Sequence, residues 1–424
     1  MIHSFVRPRE APWSVLSGLL LAVLGIPALG AEPLQYNRDI RPILAEHCFA
    51  CHGPDSAARK AELRLDNREL AITSGAISAG KPKQSEMVTR IFSGDADQVM
   101  PPPETKKRLS GAQKQLLKRW IASGAEYQAH WSLIAPAPPQ LLPGRGKAWV
   151  KNGIDRFVLS RLQQRGLSPA PEADARTLFR RLHLDITGLP PSPADASAFV
   201  VDFEADQDSA LSAWVDRLME SSAWGEHRGR YWLDAARYGD THGLHFDNYR
   251  EMWPYRDWVI RAFNANLPYD QFTVEQLAGD LLSNPSDDQL VATGFQRCNI
   301  TTNEGGTIDE ETLALYAADR VQTIGWVFLG MTTNCSQCHD HKFDAFTMKD
   351  YYSMAAFFRN TTQGAKDGNR KEGGGATLAV PTAADLPRWN AIGDELAALQ
   401  EKRDLHRKTI KDDFEKWLAE LSTA

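Results

Sequence analysis

Cysteine is scarce in this chain, with 5 in 424 residues, so a framework stapled throughout by disulfides is excluded. Stretches that alternate apolar with polar residues are few and no hairpin signature appears, which leaves little sequence for a sheet. After Gly30 no uncharged run of about 18 residues recurs, so the mature chain is expected to be soluble with no transmembrane anchor. One-signed charge is lacking too: acidic and basic residues are mixed around a formal net charge of -6. That balance excludes the basic stripe of a nucleic-acid binder and the polybasic patch of a membrane-surface protein.

What is present begins with an export signal over residues 1–30. Arg7 and Arg9 precede the apolar stretch Val15 to Ile26, and Ala28-Leu29-Gly30 supplies the small residues a signal peptidase reads. Pro8 separates the two arginines, so the twin-arginine route is not indicated. The expected location is periplasmic or otherwise extracytoplasmic.

Four of the 5 cysteines then fall in two copies of one pentapeptide, Cys48-Phe49-Ala50-Cys51-His52 and Cys335-Ser336-Gln337-Cys338-His339. A bare Cys-x-x-Cys also fits a disulfide, a thioredoxin-like redox pair or half of a zinc site. The histidine that follows each pair separates these readings, because Cys-x-x-Cys-His is the attachment pattern of c-type haem. Each cysteine would hold a vinyl group as a thioether, and His52 and His339 would each give a nitrogen to iron. Two covalent haems c, with their iron, are therefore expected. Zinc held by Cys48, Cys51, Cys335 and Cys338 together stays open but leaves the histidines unexplained. Cys298, with no companion, reads as a small buried hydrophobe.

The fold class is expected to be mainly α. Residues 31–131 read as a cytochrome c-like haem domain, with a short helix leading into Cys48 and a closing helix begun by the capping box Ser110-Gly111-Ala112-Gln113. On that helix Leu116, Leu117, Trp120 and Ile121 share a face, and Gly124 stops it. Between these helices lies Met100-Pro101-Pro102-Pro103. Prolines hold that segment extended, so Met100 sits on a stiff loop and is the candidate for the sixth ligand of the first iron. The competing reading of Met100 is a core gap-filler.

Residues 132–150 are a proline-rich linker, and 151–362 form a larger helical domain with the second motif. Its apolar stripes include Ile154, Phe157, Val158 and Leu162, then Leu178, Leu182, Leu184 and Ile186 up to Gly188. The chain's 12 Trp are more readily explained as core than as stacking platforms. Residues 363–386 read as a flexible linker and 387–424 as an amphipathic helix, a coiled-coil candidate interrupted at Arg403 and His406. No terminator closes that helix, the pattern of a chain that continues into a missing C-terminal domain.

The second haem lacks an obvious distal ligand. His341 lies two residues from His339, and two residues so close cannot straddle one haem. Asp240-Thr241-His242-Gly243-Leu244-His245 and the residues after it concentrate imidazoles and carboxylates; His245 is the candidate ligand, His242 the alternative, and a solvated polar loop the bland reading. Thr307 and Glu310 read as a capping box, against a calcium or sugar site. Tyr255 and Arg256 suit either haem propionates or ion pairing within the fold.

These stretches together resemble a family of large exported proteins of planctomycetes and related bacteria, in which a planctomycete-type cytochrome c domain precedes a helical domain of unassigned function. The resemblance rests on Tyr36 to Leu44, Cys48 to His52, Met100-Pro101-Pro102 and Trp120 to Ala125 in the first part. In the second it rests on Asp185 to Pro191, Trp253 to Ile260, Gln276 to Leu282, Asn303 to Gly306 and Cys335 to Asp344. It implies an extracytoplasmic haem protein and a further C-terminal domain. Where the family usually has proline after the second motif's Lys-Phe-Asp, this chain has Ala345. The resemblance implies no particular reaction.

The function expected is electron transfer by an exported di-haem cytochrome working with a redox partner protein. The alternative is a haem-dependent oxidoreductase acting on a polysaccharide sugar or another extracellular substrate at the second haem. A glycan-binding module with incidental haems is the third class.

Overall fold

A computed structural model describes residues 33–139, 149–244, 247–366 and 377–422. The export signal, residues 140–148 of the proline-rich linker, His245 and residues 367–376 lie outside the described residues. Sixteen α-helices and no β-strand occur among those described, so the chain is mainly α. The chain divides into two compact units, one of residues up to Gly53 with Arg59–Ile134, the other of Pro54–Ala58 with the chain from Ala135 on.

The first unit begins with a π-helical turn, Tyr36–Ile40, that runs into α1 (Arg41–His47) and α2 (Phe49–His52). Short helices α3 (Arg68–Thr73) and α4 (Glu86–Phe92) follow, and α5 (Gly111–Ala122) closes the unit. The capping box at the start of α5 forms as expected: Ser110 accepts from the Gln113 backbone and Gln113 answers to the Ser110 backbone. Ile40, Leu44, Leu117 and Ile121 are fully buried, each contributing about 1.5–3 kcal/mol by leaving water. Tyr36 stacks on Tyr127 at 4.3 Å beside Trp120, whose indole N–H donates to the Glu126 carbonyl. Arg68 donates to the Ala125 carbonyl and pairs with Glu126, tying α3 to the segment after α5.

In the second unit, α6 (Gly153–Gln164) keeps only Leu159 buried. The apolar stripe read from the sequence is open, with Ile154 72% exposed and Phe157 and Val158 also exposed. Periodicity identified an amphipathic helix without saying whether anything covers it. Helices α7 (Ala175–Thr187), α8 (Pro193–Ala205) and α9 (Gln207–Met219) enclose a small aromatic core. There Phe179 stacks on Phe199 at 4.5 Å and meets Trp214 edge-on. Gly188, at φ 73, ends α7 in the left-handed conformation that glycine adopts without a Cβ penalty.

The main core lies among α10 (Ser222–Ala235), α11 (Trp253–Asn264), α12 (Tyr269–Ala278) and α13 (Asp287–Ala292). Tyr255, Trp258, Phe272 and Phe295 fill it, with Trp232 packed alongside. Trp232 and Tyr255 both donate to the buried Gln276 side-chain oxygen at 2.7 Å. Tyr255 is therefore a core residue, and Arg256 pairs with Asp257, the within-fold alternative for both. Helices α14 (Asp309–Ile324) and α15 (Met348–Phe358) bracket the second cysteine motif around Val321, Phe346 and Tyr351. The expected Thr307–Glu310 capping box does not form: α14 starts after Ile308, and the Thr307 hydroxyl donates to the Glu304 carbonyl instead. The last helix, α16 (Leu386–Leu421), has 36 residues, none of them buried.

Candidate functional site

Cys48 stands at the joint of α1 and α2, and its carbonyl accepts from the backbone N–H of both Cys51 and His52, at 3.1 and 2.9 Å. Those bonds close one helical turn. They place residues i, i+3 and i+4 on the same face. The turn is strapped from outside by Lys60 N–H on the Cys51 carbonyl and Leu65 N–H on that of His52, both at 2.8 Å. Phe49 points the other way and is buried in the core. At Gly53 the chain leaves so close to the turn that a Cβ would lie 2.3 Å from the Phe49 carbonyl oxygen.

The face that carries Cys48, Cys51 and His52 opens on a cavity of about 420 Å³. Its wall is largely apolar, with Leu63, Leu65, Ile91, Pro101 and Pro102 among its residues, and Met100 belongs to it. Met100 is held there by its backbone N–H, which donates to the Arg90 carbonyl at the end of α4. The structure thus brings all four residues singled out in the first unit to one cavity. Size and apolar lining suit an enclosed cofactor with a few polar contacts.

Burial pushes the Cys48 thiol up to about 12, Lys107 opposing and Cys51 adding to the effect. Burial also holds the His52 imidazole below its ordinary value, opposed by a backbone hydrogen bond with Lys60. A neutral imidazole is the form that ligates iron. The His52 Nδ1 atom is buried with no hydrogen-bond partner. The donor set of two thiols, a neutral imidazole and a thioether around an apolar cavity fits covalent haem c. Cys48 and Cys51 would hold it, and His52 and Met100 would reach its iron.

Four further residues on this wall escaped the sequence reading. Met87 and Arg90 project from α4, His47 ends α1, and Lys107 lies beyond the prolines. Met87 offers a second thioether, with Ile91 four residues on as the only signal of a shared face. Arg90 and Lys107 supply positive charge where a bound acid group would need it, Arg90 being paired with Glu86 at 2.9 Å.

The second motif repeats the same backbone turn. Cys338 and His339 N–H both donate to the Cys335 carbonyl at 3.4 Å. The turn is anchored by buried Ser336, whose hydroxyl donates to the Phe346 carbonyl, and by Tyr352, whose hydroxyl donates to that of Gln337. Cys335 and Cys338 are nonetheless exposed. His339 Nδ1 lies 2.8 Å from the Asp340 carbonyl, which fixes the proton on that nitrogen and leaves the Nε2 lone pair for a metal. Phe343, Met348 and Tyr352, all exposed, flank the turn in sequence. The hydroxyl of buried Tyr351 has no hydrogen-bond partner, and its proton is held more tightly by burial, then by Tyr352 and Cys338. These donors fit haem attachment at a surface turn.

His341 is buried. Its Nδ1 accepts from Asp344 and Phe343 N–H, and its Nε2 meets the Thr332 hydroxyl at 3.2 Å, so it organises the loop. His242 is buried, its backbone paired with Asn248 and Thr301. His245 lies outside the described residues. Cys298 is buried with its thiol against the Gly294 carbonyl, and burial pushes it up to about 12. Among the described residues no three His, Cys, Asp or Glu side chains gather as a metal-binding set.

A helical unit with a Cys-x-x-Cys-His turn at an apolar cavity defines the cytochrome c class. Residues 48–104 match the family model of planctomycete cytochrome C, and residues 153–363 match that of a protein of unknown function (DUF1549). The chain therefore carries a planctomycete cytochrome c domain followed by a DUF1549 domain, and the first implies covalent haem c with its iron. Comparison with curated proteins and with solved structures gives no match.

Proposed function

We propose that the protein is an exported di-haem c-type cytochrome that moves single electrons between a redox partner protein and the second haem. The observation that carries this reading is the convergence of Cys48, Cys51, His52 and Met100 on one cavity. When bound, haem c supplies a one-electron iron couple whose potential rises with His/Met ligation. The chain's own part is to position and insulate. The Cys48 carbonyl holds both ends of the attachment turn, the apolar wall excludes water, and the Arg90 anchor keeps Met100 facing the cavity. Cys335, Cys338 and His339 hold the second haem at the surface, within reach of a partner.

Covalent haem staining and intact mass of the exported protein test the reading. Two haems per chain are expected, and a colourless chain would end it.

The exposure of Cys335 and Cys338 favours a second reading. In it the second iron keeps an open position and the protein is an oxidoreductase acting on a carbohydrate or another extracellular substrate. Carbon monoxide or cyanide should then shift one of the two haem spectra; two spectra that both stay unmoved would reject it.

A further inference from the structure

Away from both cysteine motifs, the DUF1549 domain gathers arginines from well separated stretches of sequence around one that is buried. Arg320, on α14, is 3% exposed. It donates to the Gln296 main-chain oxygen at 2.9 Å, to Asn299 Oδ1 at 3.3 Å and to Gln363 Oε1. All three acceptors are neutral. The adjacent carboxylate, Asp319, is engaged by Arg237 instead. Burial, then the neighbouring charge of Arg297, lowers Arg320 to about 10, with Arg237 adding to the effect and Asp319 opposing it. A guanidinium out of water with only neutral acceptors is a costly arrangement.

The surrounding groups are also unsatisfied. Arg237 Nε, Gln296 Nε2 and Gln363 Nε2 are buried donors with no partner, and Gln296 Oε1 and Asp319 Oδ2 are buried acceptors with none. Each is costly if left so. Arg237 itself sits at φ 61, directly after α10, in the left-handed position where glycine is usual. A strained non-glycine residue is kept where its side chain has work to do. Water can satisfy orphaned amides, but Asp319, already engaged by Arg237, offsets the charge of Arg320 only in part.

We propose that the cluster formed by Arg237, Gln296, Asn299, Arg320 and Gln363 is a binding site for an oxyanion, the carboxylate, sulfate or phosphate group of a ligand of the DUF1549 domain. Arginine's fixed fork of donors suits these groups better than any monatomic anion. The site is independent of haem, and its failure would leave the cytochrome reading untouched.

The haem-loaded, full-length protein is titrated by calorimetry with sodium sulfate, phosphate or acetate, each against chloride at equal ionic strength. At least one oxyanion is expected to bind and to raise the melting temperature; acetate alone marks a planar carboxylate site, sulfate or phosphate a tetrahedral one. Gln363→Glu places a carboxylate against Arg320. It is expected to raise the melting temperature in chloride and to weaken oxyanion binding at least tenfold. Gln296→Leu removes two unpaired buried atoms without altering charge, and should lower affinity several-fold while stability holds or rises. No oxyanion effect beyond chloride in the parent protein, or parent-like affinity in both variants, would overturn the proposal.

Discussion

Met100 shows what a single side chain is asked to do in the first unit. Its backbone is fixed to Arg90 and three prolines follow it, so its thioether is presented to the cavity with little freedom left to lose. Met100→Ala is expected to convert the first haem from a low-spin, methionine-ligated spectrum to a high-spin or ligand-accessible one. An unchanged spectrum would point to Met87 on the same wall. His183 is the opposite case, a titratable group with no use for its polarity. Both of its ring nitrogens are buried without partners, and the ring meets Phe179 edge-on at 4.8 Å. Burial holds its proton affinity below the ordinary value, with Asp195 opposing. The folded state therefore keeps the ring neutral while the unfolded chain protonates near about pH 6.5. Stability from this group is complete above that value and falls as the pH drops toward the lower folded value. His183→Leu should flatten the melting-temperature slope between about pH 7 and about pH 5 and add about 1 kcal/mol. A slope identical to the parent's would show that other groups set it.

Between elements, α10 approaches α11 closely. A Cβ at Gly225 would lie 2.5 Å from the Ile260 carbonyl and from the Asn264 amide, and Gly225 N–H donates to Asn264 Oδ1 at 2.7 Å. Gly229, four residues on, faces Ile260 and Val259 at ordinary contact. Gly225→Ala should destabilise the second unit by about 1–3 kcal/mol, while Gly229→Ala should be mild, a contrast that denaturant titration of the two variants can read. Local signals carried this level of the fold best. The α5 capping box and the Gly188 stop were legible because both sides of each interaction lie within a few residues. The Thr307–Glu310 box fails because α14 starts after Ile308, and its three acidic residues, Asp309, Glu310 and Glu311, already favour that end of the helix dipole. The exposed stripes of α6 and α16 show the limit of periodicity, which gives a face but not its cover. In the same way the four residues of the first cavity could be found from motif and proline stiffness. Arg237, Gln296, Arg320 and Gln363 could not, since nothing in the sequence brings positions so far apart together.

For the molecule as a whole, two attachment turns share one backbone geometry in very different surroundings. Each turn is bonded within its own unit, so loading of one should not require the other. On the proposed di-haem reading, replacing Cys335 and Cys338 by serine should reduce covalent haem from two per chain to one and leave the Met100-dependent spectrum in place. Loss of both haems would show that the sites depend on each other. The contrast in burial also bears on biogenesis. Cys48 reacts as a thiolate only with difficulty once it is enclosed, because burial has raised its thiol far above neutral pH. Cys335 and Cys338 stay open to solvent after folding. Under the two-haem reading, the two sites then differ in timing: the first cofactor is joined more readily before its unit closes, and the second can be added to a finished fold.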